Sequence, residues 1–214
     1  MVVYDVEIVR AVLGPDETKV AGLEYAAGWT DLDNLGIAVI CAFDLQTGRY
    51  RVFLQDNLDE FVTLISERRF VAGYNNQRLD DRLLEVNGLW PVDMTSYDLL
   101  REIWIAAGAD PDAPFDRTKQ GGLGLDAMAR ANRVGSKVTK ENIAVLWQRG
   151  HKGKVIDHCL NDVRLTLLLM AQLQRQGYLL DSRSVDRKLW VKPPFSNDSA
   201  AAAHLAALAV QPAS

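Results

Sequence analysis

Apolar and polar positions divide the chain into a strand-rich opening and a helix-rich remainder. MVVYDVEIV begins as a nearly continuous apolar run, which predicts a buried first strand over residues 1–10. Residues 11–34 hold Gly, Pro and many acids and predict a loop or excursion. LGIAVICAFD, residues 35–44, is rich in branched side chains and predicts a second strand. LQTG then makes a turn, and RYRVFL at 49–54 alternates basic and apolar residues as a partly exposed antiparallel strand does. Phe61, Leu64 and Ile65 recur at helical spacing within 57–69. Phe70 to Gly73 is a short strand running into GYNN, a glycine–asparagine turn.

Helical spacing dominates from there. Asp80 to Asn87 predicts a helix with Leu83 and Leu84 inward, and Ser96 is placed to cap the helix YDLLREIWIAAG, which stops at Gly108. The stretch 109–122 is rich in Pro, Gly and charge and predicts a loop. Helices follow at 123–131 and 139–148, then a long one at 151–176 with Val155, Ile156, Leu160, Val163, Leu167 and Leu168 apolar. Residues 184–192 predict a terminal strand or an extended clasp. The Ala-rich segment after Pro193 and Pro194 allows a short helix from Ser199 or an unstructured tail. Strands early and helices late predict an α/β fold, a mixed sheet flanked by helices in a single domain over 1–192, with 193–214 as a tail.

Asp5 and Glu7 change this picture. Two apart on a strand, they share one face. Like charges on one face of a core strand repel and are poorly solvated, and a divalent cation held by carboxylate oxygens compensates best. An edge strand with both acids in solvent is the competing reading. The net charge of −4 argues against a general DNA-coating protein, whose affinity needs many Lys and Arg contacts, but permits a nucleic-acid enzyme. Cys41 and Cys159 sit in apolar stretches without zinc spacing and read as reduced core thiols. No apolar run is long enough for a bilayer and MVVYDVEIVR lacks the pattern of a secretion signal, so a cytoplasmic location without membrane contact is expected.

Three segments carry a resemblance. VVYDVEIV resembles the first motif of the DEDD 3′–5′ exonuclease superfamily, Asp-x-Glu on the first strand of a ribonuclease H-like fold. GYNNQRLDDRLL is similar to the second motif, with Gly73, Asn75, Asp80 and Leu84 in register and Leu79 replacing the usual Phe. VIDHCLNDVRLTLLL resembles the third motif, in which Tyr or His precedes a final Asp on the last helix. His158 and Asp162 have the spacing of the superfamily's Tyr branch, with a His at the Tyr position. Three motifs in order over residues 1–170 make the resemblance more specific than any one of them.

The resemblance implies a ribonuclease H-like mixed sheet and a two-metal hydrolysis of phosphodiesters from a nucleic-acid 3′ end, releasing nucleoside monophosphates; a single-stranded end is the expected partner. Asp5, Glu7, Asp80 and Asp162 are then the metal ligands, and two Mg²⁺ or Mn²⁺ ions suit all-oxygen donors. His158, one helical turn before Asp162, is the candidate base. Asn75 and Asn76 in the turn, with Lys119 and Lys137, are candidates to hold substrate; Arg117, Lys152 and Lys154 are the other nearby cations in the motif layout. Bland alternatives stand beside these. Asp80 and Asp81 both open a helix, where either acid can serve as a cap. His158 alone on an apolar helix suits a buried structural ring, and Trp104, Trp147 and Trp190 read as core anchors. A non-cutting nucleic-acid or partner-binding module and a ribonuclease H-like endonuclease are the competing functions. The sequence leaves DNA versus RNA, strand number, processivity and oligomeric state open.

Overall fold

The computed structural model describes residues 1–14, 16–139 and 141–209. They form two compact units: Met1–Ser96 with Lys137–Val163, and Tyr97–Ser136 with the chain from Arg164. The elements, in order, are β1 (Val2–Ile8), α1 (Leu32–Leu35), β2 (Ile37–Asp44), β3 (Arg49–Phe53), α2 (Leu58–Arg68), β4 (Phe70–Gly73) and α3 (Asp80–Val86). Then come β5 (Thr95–Asp98), α4 (Leu99–Ala106), α5 (Arg117–Gln120), α6 (Leu125–Ala131), α7 (Ile143–Gln148), α8 (Lys152–Gln176), β6 (Leu179–Leu180), β7 (Lys188–Leu189) and α9 (Ala200–Leu208). The fold is α/β, with helices flanking a mixed five-stranded sheet of order β3-β2-β1-β4-β5. β1 pairs antiparallel with β2 and parallel with β4, as a ribonuclease H-like sheet requires. Among the described residues no helix is long and apolar enough to cross a membrane.

In the first unit the two-residue period of β1 sorts its side chains. Val2, Tyr4, Val6 and Ile8 join Phe53, Phe61, Ile65, Leu83 and Leu84 in one apolar cluster. That burial is the main stabilising term of the unit, about 25 cal/mol per Å² of apolar surface. Asp5 and Glu7 take the opposite face, on a central strand and not an edge. The β1–β2 register slips between Glu7 and Ile8, a bulge at the end of the acidic face. β4 pairs with β1 only through Val71 and Ala72 before the chain turns away at Gly73, leaving the later part of β1 open on that side. A side chain at Gly73 would lie 2.7 Å from Asn76 Cβ, so the tight turn needs glycine there. Asn75 follows at φ 68, a left-handed conformation that Asn tolerates.

Several expected boundaries shift. The cap of α4 is Asp98, whose carboxylate accepts from the Leu100 and Arg101 N–H groups; Ser96 lies in β5, an element the sequence pattern did not reveal. The helix expected from 139 begins at Ile143, capped by Asn142, and Lys140 lies outside the described residues. Within the 109–122 loop sits the short helix α5, capped by Asp116. In the second unit Asn132 clamps β6 by exchanging two hydrogen bonds with the Leu180 backbone. The expected terminal strand shrinks to β7, which pairs with β6. The tail forms α9, capped by Ser199, with Ala202 and Leu205 buried. Of the three expected anchors Trp104 is buried, Trp147 is half-buried, and Trp190 is exposed, in edge contact with Tyr178.

Candidate functional site

Four acids distant in sequence line one cavity of about 360 Å³ in the first unit. β1 supplies Asp5 and Glu7, the start of α3 supplies Asp80, and α8 supplies Asp162 with His158 one turn earlier. The cavity opens where β1 outruns β4, the kind of crevice at strand ends that α/β sheets offer to ligands. Past the last β1–β4 pair, the free Val6 N–H donates to Asp80 Oδ1 at 3.2 Å, which ties α3 to the strand.

Asp80 and Asp81 part company here. Asp81 is a structural carboxylate: it accepts from the Tyr4 hydroxyl, from Asn76 Nδ2 at 3.0 Å and from Ser96 Oγ at 2.6 Å. Burial, with Asp81 alongside, pushes the Tyr4 hydroxyl well above its ordinary range, so it remains a donor. Asp80 instead faces the cavity. The N-cap of α3 is Leu79, and both acids sit in the first turn of the helix, where a negative charge is favourable.

The remaining acids are poorly compensated. Burial, and then the charge of Asp162, push Asp5 up to about 7. Burial, followed by Asp5 and Asp162, raises Glu7 well above the usual carboxylate range. His158 Nε2 lies 3.6 Å from Glu7 Oε1 and 3.5 Å from Asp162 Oδ2. Burial lowers the His158 pKa despite the opposing pull of Asp162, which favours the neutral ring. Lys137 Nζ forms an ion pair with Asp162 Oδ2. Burial pulls the Lys137 pKa down, but Asp162, Asp5 and Glu7 outweigh it and hold the side chain as an ammonium. Asp162 Oδ1 and His158 Nδ1 are buried with no hydrogen-bond partner among the described residues.

This donor set could hold a metal ion. Ligand atoms of Glu7, His158 and Asp162 lie within 4.8 Å of one another, as do those of Asp5, Glu7 and Cys159. The carboxylate oxygens suit Mg²⁺ or Mn²⁺; the Cys159 thiol, raised by burial, donates instead to the Asp5 carbonyl oxygen at 3.4 Å. The orphaned Asp162 oxygen is a buried acceptor of the kind an ion would satisfy.

The other expected contacts divide. Asn75 and Lys137 line the cavity. Asn76, expected to hold substrate, is instead fully buried, with its amide nitrogen on Asp81 and Ser96, so it supports the site from behind. Lys119 belongs to the second unit, where it is exposed on α5 and its carbonyl accepts from Arg183. Sequence reasoning missed Trp29, which lines the cavity although it is 58% exposed. It lies in the patternless 11–34 excursion, so periodicity could not mark it. The excursion is held by Gln148 of α7, which bonds the Val9 and Glu24 carbonyls and accepts from the Glu24 N–H. No family model matches the chain and no curated protein aligns with it, which leaves the side-chain arrangement itself as the ground for a functional reading.

Proposed function

We propose that this protein is a metal-dependent 3′–5′ exonuclease that hydrolyses DNA or RNA from the 3′ end and releases nucleoside monophosphates. The observation that carries the proposal is the convergence of Asp5, Glu7, Asp80 and Asp162 with His158 on one cavity. Asp5, Glu7 and Asp162 are the proposed holders of one Mg²⁺ or Mn²⁺ and Asp5 with Asp80 of a second, a pair that would stabilise charge on the attacking and departing oxygens of an in-line displacement. The neutral His158 ring accepts the proton of the attacking water as the phosphorus–O3′ bond breaks. The cavity is polar at the acids, while Val12, Trp29, Leu79 and Ile143 provide apolar surface. A terminal nucleotide has the same two-sided chemistry, with its phosphate at the acids and its base against the apolar side. An unpaired end presents that base freely, which favours single strands.

End-labelled single- and double-stranded DNA and RNA, incubated with Mg²⁺, Mn²⁺ or chelator, test the proposal. Stepwise shortening from the 3′ end, lost with chelator and with a blocked 3′ end, is the expected outcome. Internal cuts in the blocked strand would make the protein an endonuclease, and binding without cuts a non-catalytic module.

A further inference from the structure

Lys137 brings a positive charge to the place where the acids call for a divalent ion. We propose that its ammonium is the resident counter-ion of the carboxylate cluster, that a divalent cation exchanges with it at Asp162, and that the displaced ammonium then positions the substrate phosphate. This builds on the metal-centre reading above.

Three observations carry the exchange. Asp162 is 3% exposed, and Lys137 is the cation paired with it. A buried carboxylate without a cation is costly, so the cluster needs Lys137 until something better arrives. Among the described residues the Lys137 ammonium shares the cavity with Asp5, Glu7 and Asp162 and leaves Asp162 Oδ1 unpartnered; a divalent ion supplies more charge and takes more oxygens. Lys137 can also leave. Its side chain keeps 33% exposure and extends from irregular backbone ahead of α7. A lysine is a mobile point charge on a flexible stem, suited to move from carboxylate to phosphate.

The test is calorimetric titration of the full chain with Mn²⁺, comparing wild type with Lys137→Met, Lys137→Arg and Lys154→Met. Lys154 is an exposed partner of Glu141, so its variant removes one charge without touching the cluster. The expected result is Mn²⁺ binding tighter by about tenfold or more in Lys137→Met, with the other two within about twofold of wild type. Unchanged or weaker binding by a folded Lys137→Met overturns the exchange but leaves the metal centre standing. No Mn²⁺ binding by any variant sinks both. A wild-type measurement covers the case in which Lys137→Met does not fold. Reductive methylation of Lys137, read by mass spectrometry, should rise when Mn²⁺ is added and fall again with AMP or dAMP. Labelling that ignores Mn²⁺ contradicts the exchange; labelling that ignores both mononucleotides contradicts the phosphate role.

Discussion

Asp181 in the second unit and Asp162 in the first are equally buried, each 3% exposed, yet their surroundings differ. Asp181 accepts from the Arg183 backbone N–H and Nε at Oδ1 and from Arg183 Nη2 at Oδ2, each at 2.9 Å. Burial alone would raise its pKa, but those bonds outweigh it and hold the carboxyl below its ordinary value. Asp162 has a lysine on one oxygen, nothing described on the other, and two further acids crowding it. Folding uses the first arrangement where a carboxylate is only structural. The second leaves a buried charge cluster incompletely compensated, a cost that a bound cation would relieve.

Breaking the crowded cluster should give the largest effect. Asp5→Ala or Asp162→Ala should reduce 3′ degradation to background while unfolding free energy stays within about 1 kcal/mol of wild type. An activity gel and a urea melt on the same preparations check this; a folded variant that still cleaves refutes the site. His158→Ala should lower turnover by about 10²–10⁴-fold and change Mn²⁺ affinity far less. Turnover equal to wild type would make the ring a packing element.

The structural carboxylates should respond in stability instead. Asp81→Ala strands the Tyr4, Asn76 and Ser96 donors and should cost about 2–4 kcal/mol by urea denaturation. Asp80→Ala, one residue away, strands the Val6 N–H and should cost activity, with a smaller stability loss than Asp81→Ala. If both cost the same stability, the contrast between the neighbours fails. The smallest effect is at Asp181. Its folded pKa lies below the ordinary 3.8, so its stabilisation is present above about pH 4 and is lost as pH falls through the depressed value. Asp181→Asn should cost about 1 kcal/mol at neutral pH and flatten that acid limb. Melts from pH 6 to pH 2 measure the difference, and parallel curves would remove the assigned role.

The parts of this account visible in the sequence are those governed by local periodicity. Alternation along β1 set Asp5 and Glu7 on one face, and the four-residue spacing set His158 beside Asp162. The motif register picked Asp80 over Asp81, although helix-start chemistry treats the two alike. What stayed hidden depends on long-range contacts. Asn76 reads as a turn residue, but its burial comes from Asp81 and Ser96 on other elements. The motif layout marks Lys137 as a cation able to hold substrate, but its pairing with Asp162 shows only where α8 brings the two together. Ser96 has the chemistry of a cap, yet Asp98 captures the α4 N–H groups because the chain is still extended at 96. Trp29 lies where no repeating pattern exists.

Diffraction from Mn²⁺-soaked crystals, recorded at the manganese edge, probes the cluster itself. The account predicts an anomalous peak bounded by the carboxylates of Asp5, Glu7 and Asp162, with the Lys137 ammonium moved off Asp162. Saturating Mn²⁺ with no peak there, and Lys137 still paired to Asp162, would contradict it.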